Sequence, residues 1–430
     1  MLHHTKPFLL SSQGSDRATA YVFSNKAVTL NGKTHVVWTD AVALTRGRTF
    51  DHATRRWSPA FTLGEGRDNH NNPCLIADET GHLHIAFGPH GMWDSIHEVC
   101  RWPTGCFRYG KSEKPGALKS IRRFEPFGYN GTYAAMVRTA DRRNAIVYRG
   151  GDAPLSVQFQ IQRPEGGWNH ARPLLSQAIP PRYTFYGAHM TAAADGTLYV
   201  IAHFYDIAIK TSTGVAMIKT PDFGKTWQDM RGRKVDTPQL LNPRIAVPHM
   251  GPEEAPYNGG VGVAPDGAVW ALVYPTLGGA FRPLLNRWDG KRWESIDLSP
   301  FLPPERGFYR GFLCIDSAGR IHILGAAVLR SAVAPGQNTF GNTTSQIYHL
   351  WSTDHGRTFA CQPLSDGDPD IPSWLPSISQ PGLFHPVDHP VLLFTKGLTQ
   401  SNGKAGCHHT LKTDVYCVRV EEEGHAGLNG

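Results

Sequence analysis

HLHIAFG (82–88), entered through the turn DETG (78–81), is an apolar run of strand length behind a polar reversal, and it has counterparts along the whole chain. These are THVVW (34–38), NAIVYRG (144–150), TLYVIAH (197–203), AVWALVY (268–274), RIHILGA (320–326) and PVLLFTK (390–396). Comparable turns, ADG (194–196), PDG (265–267) and SAG (317–319), precede three of them, and each run has a first strand before its turn. Aliphatic and aromatic runs punctuated by Gly and Asp specify antiparallel hairpins. The starts of the seven runs lie 48, 62, 53, 71, 52 and 70 residues apart. Such spacing leaves room for about four strands and a variable loop per repeat. The pattern predicts an all-β chain folded as a seven-bladed β-propeller, whose radial closure removes exposed sheet edges. No linker divides residues 1–430, so one domain is expected, with a strand near Thr413–Val420 pairing with N-terminal residues to close the ring.

The composition agrees. The apolar fraction is 40%, aromatics make up 10%, and 45 Gly and 32 Pro supply turns, which is globular rather than disordered. Lys and Arg number 43 against 36 Asp and Glu, a net charge of +7 that suits an anionic ligand. The basic residues are scattered rather than gathered into an arm, so no nucleic-acid partner is expected. No run approaches the roughly 20 apolar residues of a membrane-spanning helix, so no membrane partner is expected either. The opening MLHHTKPFLLSSQGSD lacks the apolar core of a secretory signal, which leaves the compartment open. Seven cysteines at irregular spacing form no disulfide ladder, and Cys74 and Cys314, inside apolar strand patterns, read as buried thiols. A monomer is expected.

Two further stretches, TPDFGKTW (220–227) and STDHGRTF (352–359), fit S/T-x-D-x-G-x-T-W/F. They resemble the Asp-box hairpin of sialidase-type propellers, a structural turn on the outer part of a blade that says nothing about chemistry.

In an antiparallel hairpin the start of one strand and the end of the next lie at one edge. First strands begin near His70, Tyr133, His189, Asn258 and Arg310; second strands end near His90, Arg149, His203 with Tyr205, and Tyr274. Radial symmetry brings these edges to one face around the axis, so a polar mouth of histidine, tyrosine and arginine is expected. Asn69, Asn71 and Asn72 around His70 read as scaffolding, since short amides bond to nearby backbone. No pair of carboxylates is apparent at this mouth, which counts against ordinary glycoside hydrolysis. A His/Tyr/Arg set suits β-elimination from a uronic acid. A cation at the C6 carboxylate favours loss of the C5 proton, and a base and an acid serve C5 and the C4 oxygen.

NHNNP around His70, FGPHG around His90, Tyr133, and YRGG around Arg149 resemble the catalytic sector of seven-bladed propeller polysaccharide lyases. That group includes ulvan lyases and rhamnose–glucuronate lyases and carries BNR, or Asp-box, repeats. The resemblance implies that His70, His90, Tyr133 and Arg149 are catalytic, with Arg149 at the uronate carboxylate and Tyr133 or His90 as base or acid. His189, His203, Tyr205, Asn258, Tyr274 and Arg310 become substrate-binding candidates, and the partner becomes an anionic polysaccharide or oligosaccharide. It implies no cofactor for catalysis. A structural Zn²⁺ is a further expectation, with Cys407, His408 and His249 as ligands; the adjacent His408 and His409 point to opposite faces of a strand, so one alone would serve. DGDPD (366–370) lacks the full calcium-loop pattern and reads as a solvated acidic turn. Two other readings stand beside the lyase: a rhamnosidase- or sialidase-like hydrolase on the same propeller, and a non-catalytic carbohydrate-binding propeller.

Overall fold

Each of the seven apolar runs is the second strand of a four- or five-stranded sheet, and seven such sheets form the seven blades of a propeller. The computed structural model describes residues 2–19, 23–90, 105–151, 155–176, 187–206, 209, 211–368, 370–398 and 412–422. From the axis outward, blade 1 begins with Ala27–Leu30 and Lys33–Thr39, blade 2 with Cys74–Ala77 and Leu83–Phe87, and blade 3 with Thr132–Arg138 and Asn144–Gly150. Blade 4 begins with Ala188–Ala192 and Leu198–Asp206, blade 5 with Tyr257–Val263 and Val269–Tyr274, and blade 6 with Arg306–Ile315 and Ile321–Leu329. Blade 7 begins with Ser373–Ile378 and Val391–Lys396.

Strands at the centre of a propeller are covered on both faces by neighbouring blades, so their side chains need not alternate between apolar and polar. Leu83–Phe87, Asn144–Gly150 and Val269–Tyr274 are buried at every position, which is why these strands read as continuous apolar runs. Cys74 and Cys314 lie buried in inner strands, as expected. Among the described residues no helix is long and apolar enough to cross a membrane.

Ring closure follows the predicted scheme. Lys412–Glu422 is the third strand of blade 7, and both N-terminal strands, Leu2–His4 and Phe8–Ser15, pair with it antiparallel. Ser15 stands opposite Lys412 and Leu2 opposite Glu422, so the closing strand is held along its whole length.

Both Asp-box hairpins follow the third strand of their blades, blade 4 and blade 6. Thr226 donates to Asp222 through its amide at 2.8 Å and its hydroxyl at 2.7 Å, while the Thr220 hydroxyl accepts the Gly224 amide at 2.8 Å. Ser352, Asp354, Gly356 and Thr358 repeat the scheme. Asp222→Ala removes these acceptors without touching the mouth. It is expected to cost about 1–2 kcal/mol of stability, read as a lower urea midpoint, with ligand binding unchanged.

Candidate active site at the propeller mouth

The inner strands bulge where they leave one end of the ring. Register breaks fall between Thr132 and Ala135, Asn258 and Val261, Phe308 and Arg310, and Trp374 and Ser377. A bulge adds one residue to a strand and re-aims a side chain. At Thr132/Ala135 the extra residue is Tyr133, buried with φ +63°, a conformation that a bulky L-residue keeps only where its surroundings impose it.

A polar turn before blade 2 supplies the centre of the site. Asp68 Oδ1 accepts the His70 amide at 2.6 Å and lies 3.0 Å from His70 Nδ1, while Asp68 Oδ2 lies 2.6 Å from His90 Nδ1. The two imidazoles stack with ring centroids 3.7 Å apart and planes 18° from parallel. Tyr133 lies 6.1 Å from His70, centroid to centroid, and the Arg149 guanidinium sits 4.6 Å above the Tyr133 ring. From the N-terminal segment, Arg17 donates to His70 Nε2 and, at 3.3 Å, to the Asn69 side-chain oxygen; Asn69 donates to Asp16 at 2.8 Å. The expected scaffolding is present. Asn71 donates to the Ala43 carbonyl and the Thr45 hydroxyl, both at 2.9 Å, and Asn72 to the His70 carbonyl at 2.9 Å.

Burial alone would push the Asp68 carboxyl up, but the charge and hydrogen bonds of His70 and His90 hold it well below the usual carboxylate range. Burial drives the His70 imidazole well below its ordinary value; His90 and Arg17 push the same way and Asp68 opposes them. The site therefore contains an ionised carboxylate and a neutral His70 at physiological pH.

A second cluster belongs to blades 4 to 6. His203 stacks on Tyr257 at 4.1 Å, Tyr274 lies 6.1 Å and Tyr205 6.5 Å from the same ring, and Asn258 donates to His203 Nδ1 at 3.1 Å and to the Gly187 carbonyl at 3.0 Å. Burial lowers His203 to about 3 and the Arg310 charge adds to the effect; burial raises the Tyr274 hydroxyl while Arg310 opposes. Arg310 also sits 5.5 Å over Phe340, which meets Trp374 edge-on at 5.0 Å. Trp374, Leu375 and Tyr133 pack in one buried group with Phe340 against it, so aromatic contacts join the two clusters across the ring.

Three sequence expectations need correction. His189 joins neither cluster: its ring is buried against Phe23, its Nδ1 accepts the Val261 amide at 3.0 Å, and burial lowers it to about 3. It borders instead a cavity of about 760 Å³ at the opposite end of the ring, where the inner strands finish at Ala77, Arg138 and Ala192. Carboxylates do stand at the mouth, since Asp16 and Asp68 are both buried there. Arg310 lies inside its strand, which begins at Arg306, rather than at its start, and follows a one-residue bulge after Phe308. The sequence reading also missed Arg17 and Tyr257. Asp68 had a local signal, two residues before a candidate histidine, and Arg17 had none, since its contact with His70 spans 53 positions.

Of the zinc candidates, Cys407 and His408 lie outside the described residues, as does His409. His249 directs Nδ1 at the Val247 carbonyl at 2.8 Å. Asp68, His70 and His90 have potential ligand atoms within 4.8 Å of one another, but both carboxylate oxygens already face imidazole Nδ1 atoms, which makes the carboxylate a hydrogen-bond acceptor rather than a ligand. In the DGDPD turn, Asp366 meets Lys396 at 2.9 Å and Asp368 lies 3.6 Å from it, a solvated ion pair rather than an ion site.

The model of a family described as "BNR repeat-containing family member" matches residues 19–300. The chain is 27% identical over 157 residues to an ulvan lyase from Nonlabens ulvanivorans, covering 33% of each protein. It is 27% identical over 209 residues to an ulvan lyase from Alteromonas sp. (strain LOR), covering 44% of this chain and 42% of that one. The matches thus span a third to two-fifths of the length of these curated relatives. Among solved structures, an ulvan lyase of polysaccharide lyase family PL25 superposes with a TM-score of 0.71 at 15% identity, covering 96% of this chain and 97% of that one. A PL25 ulvan lyase bound to -[GlcA(1-4)Rha3S]- gives 0.71 at 14% identity, with the same coverage. At these identities the superpositions establish the shared propeller.

Proposed function

The chain belongs to the BNR repeat-containing family, and from that premise we propose that it is a polysaccharide lyase that breaks the bond to C4 of a uronic acid by β-elimination. One observation carries the reading: a stacked imidazole pair anchored on a buried carboxylate beside a tyrosine under an arginine. These are the groups elimination needs, and the ulvan lyase names of the relatives supply the glycan class, an anionic, uronate-containing chain such as ulvan or a rhamnose–glucuronate glycan.

Arg149 receives the C6 carboxylate. As the C5 proton leaves, negative charge spreads onto that carboxylate, and a fixed cation favours the transition state more than the ground state. His90 Nε2 takes the C5 proton. The C4–C5 double bond forms as the C4–O bond breaks, and the Tyr133 hydroxyl protonates the departing oxygen. Exchange with solvent then returns both groups to their starting states. His203, Tyr205, Asn258, Tyr274 and Arg310, with Tyr257, form the facing wall, where aromatic faces and a second cation suit neighbouring sugars of an anionic chain. Asp16 and Asp68 are engaged by Asn69 and by the histidines, so they do not form the open acid–base pair of a glycosidase.

Incubation with ulvan and with a rhamnose–glucuronate glycan such as gum arabic is expected to produce the ultraviolet absorbance of a conjugated 4,5-unsaturated uronate, lost in His90→Ala. New reducing ends or free rhamnose without that absorbance would move the assignment to hydrolysis. Neither signal on a broad panel of anionic glycans would make the mouth a binding site.

A further inference from the structure

We infer that Asp68 is a positioning residue that makes the stacked histidines unequal: it holds both through Nδ1, Arg17 occupies the Nε2 of His70, and His90 is thereby the pair's proton carrier. The inference rests on the lyase reading for its chemistry and on hydrogen bonding for its geometry. An ionised carboxylate only accepts hydrogen bonds. Its two oxygens face the Nδ1 atoms of His70 at 3.0 Å and His90 at 2.6 Å, so both Nδ1 atoms carry the proton and both Nε2 atoms carry the lone pair in the neutral rings. A guanidinium only donates. Arg17 lies nearest His70 at Nε2, with Nδ1 farther off at 3.3 Å, so with Nδ1–H directed to Asp68 the Nε2 lone pair is engaged by a permanent cation.

The second imidazole differs in each respect. Among the described residues no hydrogen bond reaches His90 Nε2, and the His90 side chain is 16% exposed against 6% for His70. When His90 takes a proton, the positive charge on its ring lies against Asp68, which supplies one negative charge for one imidazolium. Both rings cannot be charged at a 3.7 Å stacking distance beside Arg17. Among the described residues the charged and titratable groups around the pair are Arg17 from the N-terminal segment, with Asp16 reached through Asn69, Asp68 from the turn, and Tyr133 and Arg149 from blade 3. Asp68 touches no reacting atom in this scheme. It fixes which nitrogen of His90 faces the sugar and stabilises the imidazolium.

Asp68→Asn keeps the shape but leaves one acceptor oxygen and presents a donor to the other ring, so at least one imidazole must change tautomer. Nitrogen-15 NMR of the histidine rings reads this without substrate. Wild-type protein is expected to show Nδ1–H and bare Nε2 on both His70 and His90 at pH 8, and Asp68→Asn to lose that pattern on one of them. In the absorbance assay Asp68→Asn is expected to lower kcat about 10²-fold or more with KM changed only a few-fold. The acidic limb of the kcat–pH profile should move to lower pH, because the imidazolium formed on proton capture has lost its counter-ion. His90→Gln should lower kcat about 10³-fold or more, and His70→Gln at least about tenfold less severely. The histidine pair keeps the comparison decisive if Asp68→Asn does not fold.

Nε2–H on either ring of the wild-type protein overturns the inference, and so does equal loss in the two histidine variants or an unmoved pH profile in Asp68→Asn. Absence of elimination by the wild-type enzyme together with the expected ring tautomers would fail the lyase reading while leaving the role of Asp68 standing.

Discussion

Arg149→Ala is expected to lower kcat/KM for elimination by about 10³-fold or more, a loss of about 4 kcal/mol in transition-state stabilisation. The size follows from where the charge develops. Removing the C5 proton of a uronate turns a monoanion into a species with charge shared between C5 and the carboxylate, and in a buried site no water can screen it. Arg149 is 3% exposed, so its interaction with that charge is screened far less than a surface contact would be. The same guanidinium lies 4.6 Å above the Tyr133 ring, so the substitution also removes the cation that holds the proposed acid in place. Arg149→Lys restores a charge but not the planar two-pronged donor, and an intermediate rate is expected. Initial rates of absorbance change, with thermal unfolding of each variant as a control, decide the matter. A correctly folded Arg149→Ala within tenfold of wild type would remove Arg149 from the carboxylate.

Acidification from pH 8 to pH 5 is expected to cost at least about 4 kcal/mol of folding stability, a large part of the usual 5–15 kcal/mol. His189 and His203 are both fully enclosed and held at about 3, whereas in an unfolded chain each titrates at 6.5. Between those values the unfolded chain binds protons that the folded one refuses, so stability is complete above pH 6.5 and declines as pH falls toward 3. At pH 5 each residue has withdrawn about 2 kcal/mol. His70, His322 and His349 are lowered as well and act in the same direction. Urea unfolding at pH 8, 6 and 5 measures the slope, and the double variant His189→Gln/His203→Gln should flatten it. A free energy of unfolding that stays constant from pH 8 to pH 5 would show that these rings are not buried as neutral bases.

The blade count was legible because the second strand of each blade is enclosed on both faces and so leaves an uninterrupted apolar run; NAIVYRG coincides with the strand Asn144–Gly150 residue for residue. The Asp boxes were legible because their hydrogen bonds close within five residues, as from Thr226 to Asp222. Hairpin geometry brought His70, His90, Tyr133 and Arg149 together correctly. The same argument misplaced His189, since strand-end position alone does not say whether a ring faces the mouth or the neighbouring blade, and the bond to Val261 decides for the latter. Arg17 was invisible because nothing near it in sequence marks it. Only ring closure carries residue 17 to residue 70.

That closure also sets a clock on biogenesis. Phe8–Ser15 leaves the ribosome about 400 residues before its partner beginning at Lys412, which at typical elongation rates means roughly 20–80 seconds of waiting. Through that interval the strand that delivers Arg17 to His70 has no sheet to join, and a nascent chain holding His70, His90, Tyr133 and Arg149 still lacks a finished centre. The contact between Arg17 and His70 therefore waits on the strand Lys412–Glu422, and the polar turn before blade 2 is completed only when that strand pairs.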